Sequence, residues 1–150
     1  MEFDSVDAVL DFAIKGEQDA SDFYTELASK MEKPQMRQAF ENFAAEERGH
    51  KAKLEAVKKN EKTKLSQAKV LDLKIGDYLV EQKPSASMDF QSALILAMKQ
   101  EKAAFRLYSD LAASADDAET RELFLGLAQE EAKHKLRFEV EYDEDFLREN

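Results

Sequence analysis

The sequence predicts an all-α protein of 150 residues, built as a four-helix bundle from two copies of a helical hairpin. Glycine and proline number only four and two, which favours long uninterrupted helices. In addition, segments in the two halves of the chain align without a gap at one offset of 84 residues, as Ala13–Ala28 does with Ala97–Ala112. A single offset that relates several segments indicates an internal duplication, in which each copy is a pair of helices.

The first hairpin is expected over about residues 5–58, with Asp4 or Ser5 as the N-cap of its first helix. Apolar residues recur every three or four positions along both of its helices, which is the pattern of a buried seam in a bundle. Each seam is interrupted at its middle by polar residues, which are Glu17 in the first helix and Glu47 with His50 in the second.

A connection of about residues 59–87 follows, which includes Lys62 and Lys64. It is too long for a tight turn, so we expect a crossover with a short helix or an extended piece packed along the bundle. The whole chain, residues 1–150, then forms one domain, because neither hairpin can bury its seam alone.

The second hairpin is expected over about residues 88–141, with Ser87 as the N-cap of the third helix and Asp116 with Glu119 capping the fourth. The tail from Glu141 onward is acidic and is expected to fray. The two seams carry polar residues at the positions that match those of the first hairpin, which are Glu101, Glu131 and His134.

Six polar residues thus lie at the centres of four apolar seams. Unpaired buried carboxylates cost several kcal/mol, and four that converge repel one another. Two divalent cations would balance the four glutamates with both histidines neutral. One Glu from each of two helices, with Glu-x-x-His from each of the other two, is the ligand set of di-iron and di-manganese carboxylate bundles. The alternative is a set of partly exposed glutamates and hydrogen-bonded core histidines, but one repeat offset relates all six positions, which favours the metal site.

Tyr24 and Tyr108 each lie seven residues after a seam glutamate, on the same face of their helix. We expect them to fill core space and to donate a hydrogen bond to a carboxylate, which would orient the glutamates around a metal. Transfer of an electron to the site is the alternative role.

The repeated Glu-x-x-His motifs and their partner glutamates resemble the ferritin-like di-iron carboxylate superfamily, and within it most closely the rubrerythrin-like proteins. The resemblance covers both hairpins and implies a ferritin-like bundle that holds two iron ions, with manganese or zinc as alternatives. It assigns Glu17 and Glu101 as terminal carboxylate ligands and Glu47 and Glu131 as bridging ones. The histidines, His50 and His134, would be the terminal nitrogen ligands.

Three features depart from these relatives. Rubrerythrins carry a cysteine-rich rubredoxin module, whereas these 150 residues contain no cysteine. They often have a further carboxylate at the position of Ala104. Bacterioferritins, which share the symmetric ligand set, place a haem-binding methionine where this chain has Arg48, so no haem is expected.

The resemblance implies a site that reacts with peroxide or dioxygen, either as a peroxidase or as an oxidase of Fe²⁺. The electrons would come from a separate donor protein, and a homodimer is expected. An alternative from another class is a metal-binding or sensing bundle without turnover. A third reading, an oxygenase of an organic substrate, requires an open pocket beside the metals.

The net charge of −10 argues against nucleic acid and against an anionic membrane surface as partners. No apolar stretch approaches the roughly 20 residues that a membrane-spanning helix needs. The first residues, Met1–Asp4, lack the basic and apolar regions of a signal peptide. We therefore expect a cytoplasmic protein.

Overall fold

The computed structural model of the chain describes residues 2–60, 65–80, 82–85 and 87–147, with only the backbone described at 146 and 147. It confirms an all-α fold of two hairpins joined by a long crossover. Beyond two isolated bridges, no strand occurs in these ranges. The five α-helices are α1 (Val6–Lys30), α2 (Pro34–Lys59), α3 (Gln67–Leu71), α4 (Phe90–Ala113) and α5 (Ala118–Tyr142).

Within each hairpin the two helices pack along their length, α1 against α2 and α4 against α5, whereas α1 and α4 meet only sparsely. The apolar core forms two clusters, separated by the polar residues at mid-helix. One cluster includes Leu10, Leu54, Leu111 and Phe124, and the other Phe40, Leu94 and Phe138. The fold therefore places the centre of all four seams between two apolar layers of the core.

The ends of the helices agree only in part with the sequence predictions. Ser5 caps α1 as expected, since its hydroxyl accepts a hydrogen bond from the Ala8 amide at 3.0 Å. The predicted caps of α4 and α5 were wrong, by two residues and by one residue respectively. Asp89, not Ser87, caps α4 by accepting from the Ser92 amide at 2.8 Å, and Asp117, not Asp116, caps α5.

The prediction that the tail frays from Glu141 onward was also wrong for its first residues, which are helical. Helix α5 continues to Tyr142, and a π-helical turn, Asp143–Leu147, extends it. The Glu141 side chain is buried against the bundle and pairs with Arg137 at 3.0 Å. Residues 148–150 lie outside the described part of the chain.

The crossover is attached to both hairpins. Its short helix α3 buries Val70 and packs against α1. A 3₁₀ turn, Ile75–Asp77, precedes Tyr78, whose hydroxyl donates to Asp110 of α4 at 2.6 Å and whose ring stacks on Phe3. Lys62 and Lys64 lie outside the described residues. No helix in the described ranges is long and apolar enough to span a bilayer.

Candidate metal centre

The four long helices bring the six predicted ligand residues together in the middle of the bundle. Helices α1 and α4 each contribute one glutamate, while α2 and α5 each contribute a glutamate and a histidine one turn later. Each of the six keeps at most 4% of its surface exposed. They are Glu17, Glu47, His50, Glu101, Glu131 and His134.

These residues form two overlapping groups of potential metal ligands. The first contains Glu17 and His50, the second contains Glu101 and His134, and both contain Glu47 and Glu131. Within each group, one ligand atom from every residue lies within 4.8 Å of the others. Two carboxylates shared between two sites is the arrangement that bridging ligands require.

Each histidine faces the central glutamate of the opposite hairpin. His50 Nδ1 lies 2.7 Å from Glu131 Oε1, and His134 Nδ1 lies 2.8 Å from Glu47 Oε1. The two imidazole rings are nearly parallel, with an angle of 15° between their planes and 6.2 Å between their centroids. The internal duplication is thus reproduced in space as an approximate two-fold symmetry.

The two tyrosines also connect the hairpins, because each donates a hydrogen bond to a glutamate of the other one. Tyr24 of α1 donates its hydroxyl to Glu101 of α4, and Tyr108 of α4 donates to Glu17 of α1. Burial, together with the charge of the accepting glutamate, raises the pKa of both phenols well above its ordinary value. Both therefore remain protonated donors, as their predicted role in orienting carboxylates requires.

The central carboxyl groups are held in a strongly perturbed electrostatic environment. Burial raises the pKa of Glu47 and Glu131 well above the usual range, and the charge of Glu101 adds to that effect. Burial also acts to raise the pKa of Glu17, but interactions with Glu47 and His50 outweigh it and lower that pKa. Without cations, the cluster is therefore expected to hold extra protons to limit its negative charge.

A contact that the sequence did not reveal involves Glu46. Its carboxylate contacts Nε2 of His134, the ring nitrogen that points away from the cluster. Burial acts to lower the pKa of His134, but the carboxylates of Glu101 and Glu47 outweigh it and raise the pKa to about 11. The matching residue of the other half, Glu130, pairs instead with Lys133 on its own helix at 3.4 Å. No pattern within one hairpin marks Glu46, because its partner lies on the other.

The side chains present fit a pair of cations. Five buried side-chain atoms among the described residues have no hydrogen-bond partner, and four of them belong to the cluster. These four are Glu17 Oε2, Glu47 Oε1, Glu101 Oε2 and His134 Nδ1. Glu47 Oε1 and His134 Nδ1 lie close together yet are not aligned for a hydrogen bond with each other. Buried carboxylate oxygens and an imidazole nitrogen without hydrogen-bond partners are groups that a divalent metal would satisfy as ligands.

Comparison with known proteins gives the same picture. The sequence profile of the rubrerythrin family matches residues 8–142. The chain belongs to the rubrerythrin family. Membership in this family implies a di-iron centre, and the buried carboxylate and histidine groups described above could bind metal. No curated protein matches the chain.

Two solved structures show the same fold. One, from Thermotoga maritima, is described as a candidate ferritin-like diiron-carboxylate protein. It superposes with a TM-score of 0.78 at 20% identity, over 96% of this chain and 98% of that one. The other is a hypothetical protein from Pyrococcus furiosus, with a TM-score of 0.69 at 23% identity, over 90% of this chain and 86% of that one. At these identities the likeness establishes the fold alone, and the role of each residue in this rubrerythrin-family chain stays a prediction.

Proposed function

We propose that this member of the rubrerythrin family binds two iron ions and acts as an oxidoreductase on peroxide or dioxygen. The observation that supports the proposal is the pair of ligand groups that share Glu47 and Glu131. In this assignment Glu17 and His50 complete one iron site, while Glu101 and His134 complete the other. Manganese or zinc would fit the same donors, so the identity of the metal is part of the proposal.

When bound, the iron pair supplies the electrons that reduce peroxide or dioxygen. The protein's own contribution is to place and hold the donors. The carboxylates of Glu47 and Glu131 are shared by both groups, and the phenols of Tyr24 and Tyr108 hold the terminal glutamates by hydrogen bonds from the opposite hairpin. The two apolar core clusters exclude water from above and below, which strengthens these interactions.

The source of the electrons must lie outside these residues in this proposal. The chain has no cysteine, so it cannot build the iron–thiolate centre that supplies electrons in rubredoxin-type modules. A separate electron-donor protein would serve a peroxidase. An oxidase of Fe²⁺ needs no such donor, because its substrate supplies the electrons. A homodimer and a cytoplasmic location stay predictions.

The test begins with protein loaded with Fe²⁺ under anaerobic conditions. We expect about two irons per chain, and a rapid change in near-ultraviolet absorption when peroxide or air is admitted. Sustained peroxide consumption with a chemical reductant would identify a peroxidase, and continued oxidation of excess Fe²⁺ by air would identify an iron oxidase. Protein that binds metal but oxidises iron no faster than buffer would support the alternative, a metal-binding or sensing bundle. Saturation at one metal ion would contradict both.

A further inference from the structure

A large cleft leads from the surface to the carboxylate cluster. It lies between α1 and α4, which meet at only a few points, and its third wall is the crossover segment at Tyr78, Leu79 and Val80. Its volume is about 610 Å³. The four central glutamates line its inner end, whereas His50 and His134 do not line it. The cleft therefore reaches the cluster from the side opposite the histidines.

The cleft is far larger than the substrates of the proposed reaction require. A water molecule occupies roughly 30 Å³ of liquid, and peroxide and dioxygen contain only two heavy atoms each. Pockets that bind organic molecules typically measure roughly 300–1,000 Å³. The volume of this cleft falls within that range, so its size fits an organic molecule rather than peroxide.

The chemistry of the wall changes from the mouth to the interior. Exposed residues of both signs stand at the mouth, among them Lys15, Asp19 and Lys83. Farther in, the walls are mainly apolar, with Ala13, Phe23 and Leu107 among the buried lining residues. Two bound divalent cations would balance the glutamates at the inner end, so the apolar walls favour an uncharged ligand, because an ionised group would lose its hydration between them. A neutral molecule with an apolar body therefore fits best.

Small side chains beside the ligand glutamates create the space. Gly16 precedes Glu17, and a Cβ atom added at Gly16 would meet no other atom within 4 Å. Ala20 lies one turn after Glu17, and Ala104 lies one turn after Glu101; both line the cleft. Larger residues at these three positions would narrow the cleft without replacing any predicted metal ligand.

One polar atom in the cleft wall lacks a partner. The repeat offset matches Gly16 to Gln100, and the two residues lie on opposite walls of the cleft. Gln100 Oε1 is buried, and it is the one buried side-chain atom without a hydrogen-bond partner, among the described residues, that lies outside the six ligands. A carbonyl oxygen enclosed without a donor is unfavourable. Gln100 lines the cleft and is only half-buried, so rotation of its side chain would bring Oε1 to an O–H or N–H group of a bound molecule.

We propose that this cleft binds a neutral organic molecule that has an apolar body and one hydrogen-bond donor, which pairs with Gln100 Oε1. Such a molecule would lie against the carboxylate cluster from the side away from the histidines. An open cleft beside the metal site is also what the third interpretation of the sequence, an oxygenase of an organic substrate, requires. Binding depends on the cleft alone, so it can be measured in protein that carries redox-inactive zinc.

The probes are three molecules of similar shape: benzyl alcohol, benzyl methyl ether, which lacks the donor, and benzoate, which is an anion. Each is titrated into zinc-loaded, ¹⁵N-labelled protein, and backbone amide shifts are followed. We expect saturable shifts with benzyl alcohol, concentrated at Gly16, Ala20 and Ala104. The ether should bind about threefold to tenfold more weakly, since it loses one hydrogen bond, and benzoate should bind more weakly still.

Two glycines provide a matched pair of variants. Gly16 and Gly49 both stand mid-helix directly before a predicted ligand, and both have open space at an added Cβ, but Gly49 is outside the cleft. Gly16→Leu should weaken benzyl alcohol binding at least about tenfold, while Gly49→Leu should leave it unchanged. Gln100→Leu should remove the preference for the alcohol over the ether.

If Gly16→Leu loses zinc or fails to fold, Ala104→Leu tests the same space from the other wall. Equal effects of the Gly16 and Gly49 variants would overturn the assignment of the binding site. Absence of saturable shifts with all three probes, or tightest binding of benzoate, would overturn the proposed class of ligand. These outcomes do not depend on iron oxidation, so they are distinguishable from a failure of the proposed reaction.

Discussion

At the scale of single residues, the direction of a side chain decides which of two adjacent glutamates belongs to the cluster. Glu47 and Glu131 are each 1% exposed, whereas their neighbours Glu46 and Glu130 keep 49% and 40% of their side-chain surface exposed. Successive residues of a helix point about 100° apart, so only one member of each pair can face the bundle axis. The apolar seam predicted the same member in both halves.

This selection gives a prediction about metal content. Glu47→Ala and Glu131→Ala should each abolish binding of a full metal pair, because each removes a ligand shared by both groups. Glu130→Ala should leave about two ions per chain. Metal analysis of protein purified without chelators distinguishes them. If Glu130→Ala loses as much metal as Glu131→Ala, the register assigned to α5 is wrong.

Glu46 is expected to differ from Glu130, although the two occupy matching positions. Its carboxylate contacts Nε2 of His134, and such a partner on the outer nitrogen holds the ring of a metal-binding histidine in position. Glu46→Ala should therefore keep both sites but lower metal affinity about 10- to 100-fold, measured by competition with a chelator. An equal loss of affinity in Glu130→Ala would show that the asymmetry between the two sites has no energetic consequence.

The two buried tyrosines give a third prediction at this scale. Tyr24→Phe and Tyr108→Phe each remove the donor to one terminal glutamate while preserving the ring in the core. Metal affinity should fall in the same competition assay, with the stoichiometry kept at about two. Tyr78→Phe is the control, since its hydroxyl bonds Asp110 rather than a ligand. Equal affinity in all three variants would argue against the orienting role.

At the scale of the helices, most of the fold could be predicted because periodicity is a local property of the sequence. The seams placed Glu17, Glu47, Glu101 and Glu131 at the centres of their helices, and the repeat offset paired the hairpins. What could not be predicted depends on how the hairpins lie relative to each other. The contact between Glu46 and His134, and the cleft between α1 and α4, exist only after the two halves have packed.

The start of α4 shows why helix ends are harder to predict than seams. Ser87 and Asp89 are both good N-cap residues, so composition does not choose between them. In the structure Asp89 accepts the Ser92 amide, whereas the Ser87 hydroxyl interacts with Ser85 in the preceding segment. Asp89→Ala should therefore lower the free energy of unfolding by about 1 kcal/mol, and Ser87→Ala should change it little. Urea denaturation measures the free energy of unfolding of both variants. A larger loss in Ser87→Ala than in Asp89→Ala would assign the N-cap to Ser87.

At the scale of the whole molecule, the cluster is a concentration of like charge that folding must accommodate. In metal-free protein the pKa of Glu47 and Glu131 is raised from 4.5, so the folded state retains protons that the unfolded chain releases. The pKa of His134 is raised from 6.5 to about 11, so its stabilising contribution is complete below pH 6.5 and is lost as the pH rises toward 11. Both effects make folded metal-free protein less stable as the pH increases.

We therefore expect the melting temperature of metal-free protein to fall between about pH 5 and pH 9. Metal binding releases these protons and is favoured at higher pH, so the stabilisation by zinc should increase over the same interval. Differential scanning calorimetry with and without zinc measures both trends. A melting temperature of the metal-free protein that rises steadily with pH would contradict the protonated cluster.

The glutamates that would bind metal repel one another in metal-free protein, and removing one of them tests this destabilising effect. Glu47 is fully buried, so leucine can replace it at similar volume and without an unpaired carboxylate. Metal-free Glu47→Leu should melt at a higher temperature than metal-free wild type, because repulsion with the other glutamates is relieved. Zinc should raise the melting temperature of wild type but not of the variant, because a shared ligand is missing. Glu130→Leu, the matched change at an exposed position, should show neither effect. A variant that is less stable without metal yet still stabilised by zinc would mean that Glu47 serves the core rather than the metal site.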